Sequence, residues 1–209
     1  MRGAFITLEG IEGVGKSTNL AHVEARLLGR GLEVVTTREP GGTALGEKVR
    51  SWILDGEHGA LPAEVEALLM FAARAQHLER VIRPALAAGR WVVCDRFTDA
   101  TFAYQGGGRG ADPALLASLQ AAVQRGLEPD LTVLLDAPRE VGRERIRSRT
   151  PDHFEREDPA FFARVRQAYL QLAARYPHRI KVVDAAQPLA SVQRQIDVAL
   201  QDFAGGFAR

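Results

Sequence analysis

Short apolar runs recur along the chain, with longer amphipathic segments between them. Five of these runs are nearly continuously apolar, at 4–8, 32–37, 91–94, 131–135 and 180–183. Strands have this composition when helices cover both faces of a parallel sheet, whereas strands with one wet face alternate. The pattern therefore predicts a three-layer α/β fold, with a central five-stranded parallel sheet flanked by helices.

The segments between the runs carry apolar residues at helical spacing. They predict helices at 16–29, 44–54, 62–88, 112–125, 140–149, 159–175 and 188–203. Because there is neither an internal repeat nor a low-complexity linker, we expect a single domain over residues 1–209, with a frayed tail at about 205–209. The almost wholly polar stretch at about 147–158 is expected to form an arginine-rich lid, and GGGRG at 106–110 a flexible turn.

Composition narrows the classes of partner. Lysine plus arginine total 27 and aspartate plus glutamate 26, so no basic excess points to nucleic acid or to a membrane surface. Cys94 is the only cysteine, which excludes an intrachain disulfide and fits a reducing compartment. No stretch approaches the ~20 apolar residues of a membrane span. These features predict a soluble, cytoplasmic protein in which any anion-binding site is local.

The segment GIEGVGKST matches the phosphate-loop pattern and stands directly between a predicted strand and a predicted helix. Its glycines let backbone N–H groups converge on phosphate oxygens, and the helix start adds its positive dipole end. Lys16 is expected to reach the β- and γ-phosphates of a nucleotide, and the Ser17 hydroxyl to ligate Mg²⁺. The predicted nucleotide-binding residues are Gly10, Gly13, Val14, Gly15, Lys16, Ser17 and Thr18.

Phosphate loops occur in GTPases, motor ATPases and small-molecule kinases. A guanine-specific switch needs an Asn-Lys-x-Asp segment, which is absent from the sequence. A large oligomeric ATPase usually ends its second conserved strand with an acidic pair, whereas this strand ends Cys94-Asp95-Arg96. A small-molecule kinase is favoured.

Several further segments carry a resemblance. They are EGIEGVGKST at 9–18, REPGGT at 38–43, FAARAQH at 71–77, DRF at 95–97, AYQGGGR at 103–109 and VDAAQPL at 183–189. Together they resemble the bacterial thymidylate kinases, a family of P-loop nucleoside monophosphate kinases, over almost the whole chain. The resemblance implies transfer of the γ-phosphoryl group of ATP to dTMP, giving dTDP, with Mg²⁺ as cofactor and a homodimeric assembly.

The resemblance also implies roles for residues around the phosphates. The phosphate of dTMP has a second pKa near ~6, so it needs no strong base, and catalysis consists of positioning and charge neutralisation. Arg96 is expected to grip the dTMP phosphate with help from Arg38, and Asp95 to act on Mg²⁺. Glu12 is expected to accept a hydrogen bond from the sugar 3′-hydroxyl.

On the base side, the resemblance makes Phe71 the platform for thymine and Arg74 the donor to its O4 carbonyl. Taken alone, Phe71 also fits core packing. Thr101 would read the base edge, and Tyr104 would pack against C2′ and disfavour a ribose hydroxyl. Gln105 is a further expected pocket residue, and so is Trp52.

The resemblance also implies a catalytic arginine, and it is expected outside the phosphate loop because Ile11-Glu12-Gly13-Val14 contains none. The lid candidates are Arg147, Arg149 and Arg156, with Arg149 favoured and then Arg156; a solvated charge run is the alternative. Where relatives have Asp-Arg-Phe-Glu, this lid has His at 153.

Two alternative functions stay open. One is a kinase for another deoxynucleotide or nucleoside, because the thymine methyl group changes binding free energy by only ~1 kcal/mol. The other is a catalytically silent nucleotide-binding module.

Overall fold

The computed structural model describes residues 2–55, 61–147 and 156–207. Its sheet consists of five parallel strands in the order β2-β3-β1-β4-β5, which confirms the predicted sheet. The strand boundaries differ from the predicted ones by one or two residues. The strands are β1 (Phe5–Glu9), β2 (Val34–Arg38), β3 (Trp91–Asp95), β4 (Leu131–Asp136) and β5 (Ile180–Asp184).

Helices flank the sheet, and two π-helical segments continue them. The helices are α1 (Lys16–Leu28), α2 (Ala44–Asp55), α3 (Ala63–His77), α4 (Arg83–Ala87), α5 (Thr98–Thr101), α6 (Pro113–Gln124), α7 (Arg139–Ile146), α8 (Pro159–Arg175) and α9 (Leu189–Phe207). The π-helical segments are Leu78–Ile82, between α3 and α4, and Phe102–Gly108, after α5. Within the described ranges, no helix is both long and apolar enough to cross a membrane.

Neighbouring residues of the central strands point to opposite faces of the sheet. Phe5 and Val92 pack in one apolar cluster with the first π-helical segment and α4. Ile6 and Val93 pack in another cluster, which includes the inner faces of α1 and α9. Because both faces of β1, β3 and β4 are covered, these strands are almost entirely buried, as their continuous apolar runs predict.

The glycines before Arg109 do not form the flexible turn expected from the sequence. Gly107 and Gly108 lie in the second π-helical segment, against α8. A Cβ on Gly107 would stand 2.5 Å from Ala168 Cβ, and a Cβ on Gly108 would stand 2.5 Å from the Phe161 ring. The glycines therefore allow two helical segments to approach closely, and a local turn signal cannot reveal that.

Two other expectations about helices need correction. The predicted helix at 62–88 is interrupted by the π-helical segment Leu78–Ile82, and the predicted frayed tail continues α9 as far as Phe207. The lid stretch is described only at 147 and from 156 onward, so the rest of it lies outside the described residues.

The strand register gathers the motifs at one edge of the sheet. Arg38 pairs with Asp95 across β2 and β3, and Leu8 pairs with Asp95 across β1 and β3. The chain segments that leave β1, β2 and β3 therefore start side by side. Ligands of open α/β sheets bind at this carboxyl edge.

Candidate active site

A cavity of about 540 Å³ opens at the carboxyl edge of the sheet. Its walls come from the phosphate loop and the start of α1, the ends of β2 and β3, helices α2, α3, α5 and α7, and the second π-helical segment. Its residues are Glu12, Gly13, Gly15, Lys16, Ser17, Thr18, Arg38, Glu39, Pro40, Arg50, Ile53, Leu54, Met70, Asp95, Arg96, Ala100, Tyr104, Gln105, Arg145 and Ile146.

Lys16 is held by the loop that precedes it. Its Nζ donates to the carbonyl oxygens of Gly10 and Ile11, over 3.0 and 2.8 Å. Loss of hydration and the nearby Arg96 guanidinium lower the pKa of Lys16 to about 8. The ammonium group is therefore positioned before a ligand arrives, and it gains a strong counter-charge when a phosphate binds.

The backbone of the phosphate loop contacts the backbone of α7 at two glycines. Gly13 has a φ of 74°, and a Cβ on it would stand 2.1 Å from the Gly142 carbonyl oxygen. A Cβ on Gly142 would stand 2.4 Å from the carbonyl oxygen of Glu12. Both positions exclude a side chain, so α7 supports the loop by direct backbone contact.

Arg96 has a φ of 68°, in the left-handed region that non-glycine residues rarely adopt. Hydrogen bonds hold this conformation from both sides. The Arg96 amide donates to Leu8 O over 2.9 Å, and the next amide, of Phe97, donates to Glu9 Oε1 over 2.7 Å. The Cys94 thiol donates to Arg96 O over 3.0 Å. The surrounding structure thus sets the direction of the Arg96 side chain.

Arg96, Glu12 and Tyr104 form a compact group in the cavity. Arg96 Nη2 donates to Glu12 Oε1 over 2.7 Å, and the Tyr104 hydroxyl donates to Glu12 at 2.7 and 2.8 Å. Burial acts to raise the pKa of Glu12, but Arg96, Lys16 and Tyr104 prevail and lower it. Glu12 is therefore a carboxylate at neutral pH, which partly neutralises the guanidinium beside it.

Two more arginines face the same space. Arg38 donates to Glu47 over 2.8 Å, and Arg50 donates to the Pro40 carbonyl over 3.3 Å. Burial, together with repulsion from Arg38 and Arg96, lowers the pKa of Arg50. Three guanidinium groups that repel one another across a cavity favour an anion with several oxygens, such as a phosphate.

Asp95 and Ser17 supply oxygen donors of the kind that Mg²⁺ prefers. Asp95 Oδ1 is buried and has no hydrogen-bond partner among the residues that the structure describes. The part of the chain that the structure describes contains no cluster of three His, Cys, Asp or Glu side chains that could hold a metal. Mg²⁺ usually binds through one or two protein oxygens, phosphates and water, so this donor set fits it.

Comparisons with known proteins agree with this geometry. Residues 8–196 match the family model described as thymidylate kinase. The thymidylate kinase of Nitrosomonas europaea is 58% identical over 97% of this chain and 94% of its own length. That of Methylococcus capsulatus is 57% identical over 98% of both chains. The chain belongs to the thymidylate kinase family. The crystal structure of thymidylate kinase from Ehrlichia chaffeensis has a TM-score of 0.77 and 34% identity, covering 96% of this chain and 99% of that one.

Many of the residues predicted for a thymidylate kinase site meet in the cavity. Two residues predicted for the nucleotide, Gly10 and Val14, do not line the cavity: a Cβ on Gly10 would meet Leu135 O at 2.4 Å, and Val14 is in the core. The predicted residues that do line the cavity are Glu12, Gly13, Gly15, Lys16, Ser17, Thr18, Arg38, Asp95, Arg96, Tyr104 and Gln105.

Phe71, the residue expected to stack on thymine, lies behind the cavity wall. Phe71 is buried in an apolar cluster with Ala67 and Leu116 and is not part of the cavity wall. Met70 lines the wall in its place. One step along a helix turns a side chain by about 100°, so the two neighbours face different surroundings.

Trp52, another expected pocket residue, is also outside the cavity wall. The next two residues of α2, Ile53 and Leu54, line the wall.

Arg74 and Thr101 lie directly behind the wall, both fully buried. Arg74 Nε donates to Glu39 Oε2 over 2.7 Å, and Arg74 Nη2 donates to Thr101 Oγ1 over 2.9 Å. His77 pairs with the other oxygen of Glu39 at 2.9 Å. Arg74 Nη1 finds no hydrogen-bond partner within the described part of the chain. One guanidinium N–H donor near the cavity is therefore left without a hydrogen-bond acceptor among the described residues.

The lid arginines are placed only in part. Arg147 is exposed and pairs with Glu144 at 3.4 Å, Arg156 is exposed, and neither lines the cavity. Arg149 lies outside the described residues. Arg145 does line the cavity, where it donates to Ala185 O over 2.9 Å.

Sequence reasoning missed Arg50, Met70 and Arg145 as cavity residues, and Gly142 as the support of the loop. Arg50 and Arg145 lie on amphipathic helices rich in charge, and nothing local separates them from solvated neighbours. Met70 lies on a helix that is buried on several sides. Only Arg50 carried a weak signal, since it follows REPGGT by less than two helical turns.

Proposed function

We propose that this thymidylate kinase transfers the γ-phosphoryl group of ATP to the phosphate of dTMP, yielding ADP and dTDP. The observation that carries the proposal is the juxtaposition of two anion sites in one cavity. The phosphate loop with Lys16 forms one site, and the cluster of Arg38, Arg50 and Arg96 forms the other. Each site suits a different phosphate, and transfer in line requires the two phosphates to meet end to end.

The donor side would hold ATP. Backbone N–H groups from Gly13 to Thr18 and the N-terminus of α1 bind the phosphates, and Lys16 neutralises charge on the β- and γ-phosphates. Ser17 and Asp95 would hold Mg²⁺, which would supply positive charge that offsets the negative charge of the phosphates. The backbone N–H groups of the loop also fix the position of the phosphates.

The acceptor side would hold dTMP. Arg96, Arg38 and Arg50 bind its phosphate, which already carries nearly two negative charges at neutral pH and attacks without a strong base. Glu12 accepts a hydrogen bond from the sugar 3′-hydroxyl. The Tyr104 hydroxyl is held by its hydrogen bonds to Glu12, and the ring would pack against C2′ and disfavour a ribose 2′-hydroxyl.

Two buried polar atoms near the cavity support recognition of thymine. Arg74 Nη1 is a donor and Gln105 Oε1 is an acceptor, and both lack a partner among the described residues. Leaving such groups unpaired costs free energy, which a ligand regains by pairing with them. Arg74 would bind the O4 carbonyl with support from Thr101, and Gln105 the N3–H group, while Met70 offers apolar surface to the ring.

A lid arginine would complete the transition-state site. The phosphate loop contains no arginine, and the candidates Arg149, Arg156 and Arg147 remain a prediction. An arginine that stabilises the transferring group supplies about 10³ to 10⁵ in rate. We expect Arg149→Ala or Arg156→Ala to lower kcat far more than it raises KM, while Arg143→Ala, on an exposed position of α7, leaves both unchanged. A pure KM effect would restrict these arginines to binding.

The activity is tested by coupled ADP release with dTMP, dUMP, dCMP, dGMP, UMP and thymidine as acceptors. We expect dTMP to give the highest kcat/KM, and equal turnover of all acceptors would reject a pyrimidine-specific site. Lys16→Ala should abolish transfer. If purified Lys16→Ala protein retained full activity, the mechanism would be wrong, and a silent nucleotide-binding module would show no transfer in the unsubstituted protein.

A single domain, a homodimer and a cytoplasmic location also remain predictions. The exposed apolar side chains of Val65 and Leu68, one turn apart on α3, support an interface between two copies. Light scattering of the purified protein distinguishes a dimer from a monomer of 22.8 kDa.

A further inference from the structure

Glu66 and Gln105 form a buried pair behind the base side of the cavity. Gln105 Nε2 donates to Glu66 Oε2 over 3.0 Å, and both residues are at least 98% buried. The other end of the Gln105 amide, Oε1, has no partner in the described ranges, although Gln105 lines the cavity. The pair therefore leaves the acceptor Oε1 of Gln105, and not its donor Nε2, available to a ligand in the cavity.

The orientation of this amide is fixed by charge. A carboxylate can only accept hydrogen bonds, so reversing the Gln105 amide would place Oε1 against Glu66 Oε2 and strand a buried donor. Arg109 holds the carboxylate in turn, with Nε 3.3 Å from Glu66 Oε1. Arg109 Nη1 also pairs with Glu157 at 2.6 Å, just before α8. The Arg109 guanidinium thus lies between two carboxylates, Glu66 and Glu157, which restrains the rotation of Glu66.

We propose that Glu66 is a specificity-determining residue that acts through Gln105. By holding Nε2, it obliges Gln105 to present Oε1 to the base, so the site accepts a ring with an N–H donor at this edge. Thymine and uracil carry that donor at N3, whereas cytosine carries a lone pair there. Glu66 thereby selects imide pyrimidines over aminopyrimidines. This inference rests on the proposed contact between Gln105 and the base.

The alternative role of Glu66 is structural, as a buried counter-ion for Arg109. A structural role would alter folding and the use of all acceptors to the same extent. A role in specificity alters the ratio of kcat/KM between dTMP and dCMP, because only one of the two bases can satisfy a fixed acceptor. The ratio is therefore the readout.

Glu66→Gln is the first test, because its amide can pair with either end of Gln105 and frees it to turn. We expect the ratio of kcat/KM for dTMP to that for dCMP to fall about tenfold or more, as for one lost polar discrimination. Glu64→Gln, an exposed change two residues earlier on α3, is the matched control and should leave the ratio unchanged. An unchanged ratio in a folded Glu66→Gln protein overturns the proposal.

The swap Glu66→Gln with Gln105→Glu is the second test, and thermal melting checks the fold of each variant. A carboxylate at 105 can only accept, so we expect the swap to recover a preference for dTMP over that of Glu66→Gln. If it shows no recovery, or if Glu66→Gln fails to fold and the swap does not prefer dTMP, the proposal fails.

Gln105→Ala separates this inference from the proposed function. We expect it to lower kcat/KM for dTMP about tenfold or more and to spare dCMP. If Gln105→Ala affects neither nucleotide, the proposed contact with the base is wrong and the inference falls with it. If Gln105→Ala acts on dTMP while Glu66→Gln does not change the ratio, the contact stands and only the role of Glu66 is refuted.

Discussion

Arg96 Nη2 lies 2.7 Å from Glu12 Oε1, so the guanidinium that we assign to the dTMP phosphate already has a carboxylate partner. Both side chains are largely buried, where charges interact more strongly than in water. An incoming phosphate therefore meets an arginine whose positive charge is partly cancelled. Glu12 limits how tightly the site binds phosphate alone.

Glu12→Gln should strengthen the binding of a bare phosphate ion. Removing a carboxylate next to a buried guanidinium favours an anion by about 1 kcal/mol or more, even at an effective dielectric constant of about 20. We expect the inhibition constant of inorganic phosphate against dTMP to fall about fivefold or more. Tyr104→Phe removes a hydroxyl but no charge and is the control. An unchanged inhibition constant for Glu12→Gln would mean that Glu12 does not offset Arg96.

Glu9 makes folding sensitive to pH. Burial and the nearby Asp99 raise its pKa from an ordinary 4.5 to about 7. Because Glu9 holds its proton more tightly in the folded state, ionisation at higher pH favours the unfolded chain. The loss of stability is therefore absent below about pH 4.5, grows with pH, and is complete above about pH 7. The full cost is about 3 kcal/mol. Glu9 is tolerated because its oxygens accept from Phe97 N–H and the Tyr169 hydroxyl.

Glu9→Gln should therefore stabilise the protein in alkaline solution. The amide oxygen can accept from Phe97, and the amide nitrogen can donate to the Tyr169 oxygen, so no buried polar atom is stranded. We expect the free energy of unfolding to rise by about 1 to 2 kcal/mol at about pH 8 and not at all near pH 4.5. Urea titrations at both pH values measure this. Glu33→Gln, at an exposed site, should show no such difference; equal effects of pH on wild type and Glu9→Gln would refute the prediction.

The sequence predicts those parts of the fold that depend on local pattern. The buried strands follow from their apolar runs, and the phosphate loop from its glycines and Lys16. Met70 and Phe71 show a limit of prediction from pattern. Because α3 is buried on several sides, its apolar pattern does not reveal which face meets the cavity. Gly142 carries no motif, because its role depends on contact with Gly13, which is remote in sequence.

Lys16 should give the free enzyme an alkaline limit. With its pKa lowered to about 8, Lys16 loses its proton and its charge as the pH rises through that value. We expect kcat/KM for ATP to fall about tenfold per pH unit above about pH 8. At saturating ATP the bound phosphates favour the ammonium form, so the fall in kcat should begin at a higher pH.

Lys16→Arg is the control for this assignment, since a guanidinium does not titrate in the accessible range. Its activity should be lower than that of the wild type, and its kcat/KM should lack the fall near pH 8. The measurement is a pH–rate profile from about pH 6 to about pH 10. A fall that persists in Lys16→Arg would assign the titration to another group.

Gly142→Ala should disturb the phosphate loop through the face of α7 that contacts it. The new Cβ would stand 2.4 Å from the Glu12 carbonyl oxygen, a distance that backbone atoms cannot accept, so loop and helix must separate. Such overpacking costs about 1 to 3 kcal/mol. We expect a lower melting temperature together with a raised KM for ATP, because the shifted N–H groups no longer converge on the phosphates.

Gly205→Ala is the matched control for Gly142→Ala. Gly205 also lies in a helix, and a Cβ there would meet nothing within 4 Å. Alanine in an open helical position is favoured over glycine by about 0.5 to 1 kcal/mol, so this variant should melt at the same or a higher temperature with unchanged kinetics. Wild-type melting and KM in Gly142→Ala would show that the loop does not depend on close contact with α7. A loss of stability with an unchanged KM would show that α7 supports the fold but does not position the phosphate site.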